Sequence, residues 1–152
     1  MGSVKEFCYA SRNDTNAATI RRNKIKVFEN DGKYNFVDEN NVFVGYDSGQ
    51  SCCENFGYFF TDKMPEPDIT ADKTETTIEF DQSKYVFDPS FIERINGGSF
   101  DEGGIAIFKL VNKDKRKKKD IIYLCLYNYH NGYYGHGFEM KIGEETTREG
   151  CI

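Results

Sequence analysis

Tryptophan is absent from this chain of 152 residues, histidine occurs twice and proline three times. Imidazole chemistry is therefore confined to His130 and His136. The sequence contains no H-E-x-x-H, no G-x-S-x-G and no Ser-His-Asp arrangement, which removes the common hydrolase signatures. It has no GxxxxGK[ST] and no GxGxxG after a strand, so the glycine pairs of "NGGSFDEGG" read as a linker and not a phosphate cradle. No stretch approaches the roughly 20 apolar residues of a membrane span. The opening "MGSVKEFCYASRND" lacks the apolar run of an export signal, and Glu6 breaks the myristoylation pattern. These absences lead to the expectation of a soluble, cytoplasmic protein with no membrane attachment.

What the chain has in quantity is aromatic side chains. Phenylalanine (13) and tyrosine (10) favour pleated, half-buried surfaces, so the composition leans toward sheet. The net charge of −5 is unevenly spread. "KDKRKKKD", residues 113–120, carries six basic and two acidic side chains, hence +4, which leaves −9 for the rest. An acidic body suits nucleic acid poorly. The basic run holds no aromatic residue and sits between two strands, which makes it a projecting charged loop.

Along the chain, residues 1–22 form a polar arm, 23–143 a single β-rich domain and 144–152 a tail. "NKIKVFENDGKYNFVDENNVFVGYD" reads as three strands turning at Asp31-Gly32 and at 38–41. Residues 63–75 form a proline-containing loop. Pro89 is placed to open one short helix at "PSFIERI". "IAIFKLV", "IIYLCLYNYH" and "YYGHGFEMKI" are further strands. The order predicts a mainly β or α+β domain with an antiparallel sheet and β-hairpins.

Asn131-Gly132 is the strongest hairpin signal in the chain. A two-residue turn there pairs residues whose numbers sum to 263. One face then carries Cys125, Tyr127, Tyr129, Tyr134, His136 and Phe138, and the other Leu124, Leu126, Asn128, His130, Tyr133 and Glu139. That register separates the two histidines and argues against a zinc site built from them with Cys52 and Cys53, so no metal and no cofactor are expected. The aromatic face is either core or a platform for a planar ligand. In the second case Tyr127, Tyr129, Tyr134 and His136 bind the ligand, with Arg21 and Arg22 supplying charge for a small anion.

Five cysteines, at 8, 52, 53, 125 and 151, form an odd set suited to reduced thiols. Adjacent Cys52 and Cys53 do not have the spacing of a zinc site or of a C-x-x-C redox pair. They remain packing thiols, a ligand contact, or a nucleophile with His136 as base.

Taken together, Cys52-Cys53-Glu54 in "FVGYDSGQSCCENF", the Phe108-Lys109 strand, and Asn131-Gly132-Tyr133-Tyr134 in "LYNYHNGYYGHGFEM" resemble a group of small uncharacterised domains of bacteriophages and mobile elements. The likeness spans about residues 23–142. It transfers no catalytic residue, and it implies an accessory or counter-defence factor. The expectation is a non-enzymatic binding protein acting on a host protein or a small anionic, nucleotide-like ligand. The alternatives are a thiol-dependent enzyme using Cys52 or Cys53 with His136, and an assembly protein that forms homo-oligomers through an edge strand.

Overall fold

The computed structural model describes residues 26–30, 32–49, 55–66, 77–96, 103–129 and 135–152. Nine strands follow in order: β1 (Lys26–Asn30), β2 (Lys33–Val37), β3 (Val42–Asp47), β4 (Asn55–Thr61), β5 (Tyr85–Asn96), β6 (Gly104–Asn112), β7 (Ile121–Tyr129), β8 (Gly137–Ile142) and β9 (Glu145–Cys151). They make two antiparallel sheets, one in the order β1-β2-β3-β8-β9 and the other in the order β4-β7-β6-β5. The expected antiparallel β domain is present. The only helical element among the described residues is a 3-10 turn at Gln82–Lys84.

The sheets pack face to face because alternate residues of each point inward. Phe36, Val44, Tyr46, Phe138 and Met140 from the first meet Phe60, Ala106, Phe108, Leu110, Leu124 and Leu126 from the second. β2 lies over β4 through the edge-on rings of Phe36 and Tyr58, 4.9 Å apart. β8 lies over β6 through Phe108 and Phe138, 6.0 Å apart. The Tyr46 hydroxyl crosses the core and donates to the Tyr127 carbonyl at 2.6 Å, so the one polar group on that ring is satisfied.

Three expectations change with the structure. The helix at Pro89 is instead the middle of β5, an edge strand whose register shifts between Phe87 and Ile92. Edges and bulges are where a strand tolerates a residue without an N–H. The residues of the expected tail form β9, almost wholly exposed and therefore without apolar alternation. The largest correction concerns the late hairpin: β7 pairs with β4 and β6, while β8 pairs with β3 and β9 in the other sheet. Both faces of β7 are buried, so it is a central strand flanked on each side, with no edge left for β8. Asn131 and Gly132 themselves lie outside the described residues.

The basic loop is built on a fixed base. Tyr85 Oη donates to Asp120 Oδ1 at 2.6 Å, and Asn112 Nδ2 donates to Asp120 Oδ2 at 2.8 Å. Burial, then the bond to Asp120, push the Tyr85 phenol up to about 12. The bonds from Tyr85 and Asn112 hold the Asp120 carboxyl below its usual range. The neutral phenol is thus the form the fold prefers. Its contribution to stability is complete below about pH 10, where the unfolded tyrosine starts to ionise, and is lost as pH rises through about 12. Asp120 has the opposite sign: its contribution is present above about pH 4 and is lost as pH falls through its lowered value. Ultraviolet titration of phenolate should show one late-ionising tyrosine of the ten disappearing in Tyr85→Phe. An unchanged high-pH step in that variant would refute the assignment.

Candidate functional site

Outward-facing residues of the five-stranded sheet line up in rows across it. One row runs Phe28, Asn35, Gly45, Glu139, Glu149, and its neighbour runs Asn30, Lys33, Asp47. Gly45 and Gly137 leave the centre of this face without side chains, and two adjoining troughs open there. One, of about 450 Å³, is lined by Lys33, Gly45, Asp47, Gly137, Glu139 and Glu149 among others. The second, of about 610 Å³, shares Lys33, Gly45 and Glu139 and continues past Phe28, Phe43 and Lys141 to Glu144.

The charges on this floor are arranged tightly. Glu139 lies across Gly45, where a Cβ would come within 3.4 Å of its Oε2. Lys33 Nζ reaches the same oxygen at 2.9 Å and Lys141 Nζ stands 3.8 Å from it. Directly across the strand pair, Glu139 faces Glu149. The Glu139 carboxylate leans the other way, over Gly45 toward Lys33, and both ammonium groups stand on that side. With Asp47 and Glu144, four carboxylates share the troughs with two lysines, so the face as a whole is acidic.

Of the residues expected to bind a ligand, the three that are described, Tyr127, Tyr129 and His136, do not share one surface. Tyr127 and Tyr129 share a face with Cys125, as alternation requires, but it is the outer face of the four-stranded sheet. His136 is in the other layer, between the sheets, 2% exposed. Its ring stacks on Phe56 with centroids 4.1 Å apart, and its Nδ1 contacts the Asp47 carbonyl at 2.7 Å. A carbonyl only accepts, so Nδ1 carries the proton. Arg21, Arg22, Cys52, Cys53 and Tyr134 lie outside the described residues. Of the two described cysteines, Cys125 is fully buried and burial raises its thiol well above the ordinary range, whereas Cys151 is exposed.

Lys33 and Glu139 escape a reading of the sequence because charged residues alternating with apolar ones look like any solvated sheet face, and Glu149 escapes it because β9 has no apolar alternation at all. Glycines in strands, Gly45 inside β3 and Gly137 at the start of β8, are the signal that could have found them. Among the described residues no group of three His, Cys, Asp or Glu stands where it would hold a metal ion, and no helix is long and apolar enough to cross a membrane. No family model, curated protein or solved structure matches the chain.

Proposed function

We propose that this protein is a non-enzymatic binding module that takes a segment of a host protein in the glycine-floored troughs of its five-stranded sheet. The observation that carries the reading is the excess of carboxylates along the troughs, where Asp47, Glu139, Glu144 and Glu149 stand against Lys33 and Lys141. A basic group from a partner would offset that excess of negative charge. Phe28 and Phe43 give the same partner an apolar footing. Open, mixed troughs of this kind favour an extended peptide over an enclosed small molecule, and the excess of carboxylates disfavours an anionic one. The host comes from the resemblance to phage and mobile-element domains, which supports an accessory or counter-defence role.

Selection of random peptides on the immobilised protein tests the proposal. Lysine- or arginine-bearing sequences should be enriched, and Glu149→Gln should weaken them by about tenfold while leaving the fold intact. Enrichment of acidic sequences, or binding indifferent to Glu149→Gln and to a side chain added at Gly45, would overturn it. Native mass spectrometry showing a retained anionic small molecule would favour the ligand reading instead.

A further inference from the structure

The loop between β6 and β7 concentrates positive charge on a fixed support. Two successive turns build it: the Lys117 N–H donates to the Asp114 carbonyl at 2.9 Å, and the Asp120 N–H to the Lys117 carbonyl at 3.1 Å. Asn112 closes the base, its side-chain oxygen accepting from the Asp114 N–H at 2.8 Å while its Nδ2 donates to Asp120. The Lys113 N–H donates to the Lys84 carbonyl, and the Lys113 ammonium to Glu39. Both acids of the run are thereby engaged within it. Asp114 holds Arg116 through both oxygens, at 3.1 Å each, and Asp120 is held by Tyr85 and Asn112. Lys115, Lys117, Lys118 and Lys119 are exposed, and none of them forms an ion pair among the described residues. Four ammonium groups within five positions repel one another, and an acidic partner would relieve that repulsion.

We propose that this loop is a segment that a second copy of the chain receives in its acidic troughs, so that copies associate head to tail. The inference rests on the reading of those troughs as a site for a basic segment. Its own argument is the match between the two surfaces. The loop offers four ammonium groups, and the troughs hold Asp47, Glu139, Glu144 and Glu149 against Lys33 and Lys141. No residue of the loop is among the described lining of either trough of its own copy. The loop springs from the four-stranded sheet, at the end of the sandwich where Lys113 meets Glu39 of the β2–β3 turn. Lys33 and Asp47, which line the first trough, pair at the opposite end of β2 and β3. Held at its base, the loop reaches that trough only on another molecule. A contact between two different patches leaves each copy with one loop and one trough still to fill, so association continues until a ring closes or a chain grows. The net charge of −5 opposes association at long range, and attraction between exposed charges is screened, so the contact is weak and salt-sensitive. Self-association then competes with a host segment for the troughs.

Sedimentation velocity tests this with two variants altered only at exposed positions. One removes the loop charge (Lys115→Gln, Lys117→Gln, Lys118→Gln and Lys119→Gln), and the other reverses the trough rim (Glu144→Lys and Glu149→Lys). At low salt the unaltered chain should rise in weight-average mass by about twofold or more with concentration, and at about 1 M salt, where the screening length is about 3 Å, it should return to single copies. Each variant alone should stay a single copy. An equal mixture of the two should form a dimer and nothing larger, because one intact loop and one intact trough remain between them. Should a variant fail to fold, a free peptide of residues 113–120 decides, since it should return the unaltered protein to single copies at low salt. Single copies of the unaltered protein at low salt, association of either variant by itself, or no dimer in the mixture would each overturn the proposal. The same peptide titrated onto the loop variant separates the two readings. Binding there without self-association of the unaltered protein refutes only the head-to-tail contact, and failure to bind refutes the troughs as a site for basic segments as well.

Discussion

Asp38→Ala should cost about 3–5 kcal/mol of stability, the largest loss expected from removing one polar side chain of this fold. The residue sits in the turn between β2 and β3, 5% exposed, and both of its oxygens are committed. Oδ1 accepts from the backbone N–H groups of Asn40 and Val42, each at 2.9 Å. Oδ2 accepts from the N–H of Phe87 in β5, at 2.8 Å. One carboxylate therefore closes a turn in the first sheet and ties it to an edge strand of the second. Removing it leaves the buried N–H of Phe87 unpaired beside a bulge, where no ladder bond replaces the loss. Asp38→Asn keeps the shape and one acceptor but puts a donor against a donor, so it should recover less than half of the loss. Urea denaturation of the three proteins gives the comparison. Equal midpoints would show that the clamp contributes nothing, and an altered m-value would point to a change in cooperativity instead.

Asp38 also marks how far the sequence is readable. Its neighbourhood, "DENN", announces a turn, and the turn is there, with Asn41 at φ 62. That its carboxylate reaches a strand 49 residues away is invisible to any local pattern. β1, β2, β3 and β6 are legible because apolar alternation or a continuous apolar run coincides with local turn residues. β7 is legible as a strand but not as to its partners. "IIYLCLYNY" is apolar at nearly every position, the mark of a strand buried on both faces, and that mark outweighs the turn signal of Asn131-Gly132 that follows it. The local turn taken alone puts His136 opposite Tyr127. In the structure Tyr127 lies in the four-stranded sheet and His136 just ahead of β8 in the other layer, and Tyr46 stands between them, its hydroxyl bonding Tyr127's carbonyl while its ring is 5.7 Å from the imidazole. The candidate face is illegible for a related reason. Lys33, Gly45, Glu139 and Glu149 come from four strands, and only the pairing of β2, β3, β8 and β9 makes them neighbours.

His136→Ala separates a structural histidine from a catalytic one, and it should be the second most damaging change, at about 2–4 kcal/mol. The imidazole fills the space between Phe56 and Tyr46, and its protonated Nδ1 satisfies the Asp47 carbonyl. Its backbone exchanges two hydrogen bonds with Ile152, whose side chain is 4% exposed in the main core. Truncation empties a stacking site, orphans the Asp47 carbonyl and loosens the seam where the chain passes from the second sheet back to the first. His136→Asn retains a donor at the Nδ1 position and should restore the part of the loss due to that hydrogen bond, but not the stacking on Phe56. A base for a thiol nucleophile predicts a different pattern: both variants keep their denaturation midpoints and lose the pH-dependent alkylation of a cysteine. The geometry favours the first outcome, because a ring held against one aromatic side chain, bonded to a main-chain carbonyl and 2% exposed is fixed as part of the core. Unaltered stability in His136→Ala would sink that view and return the imidazole to the search for chemistry.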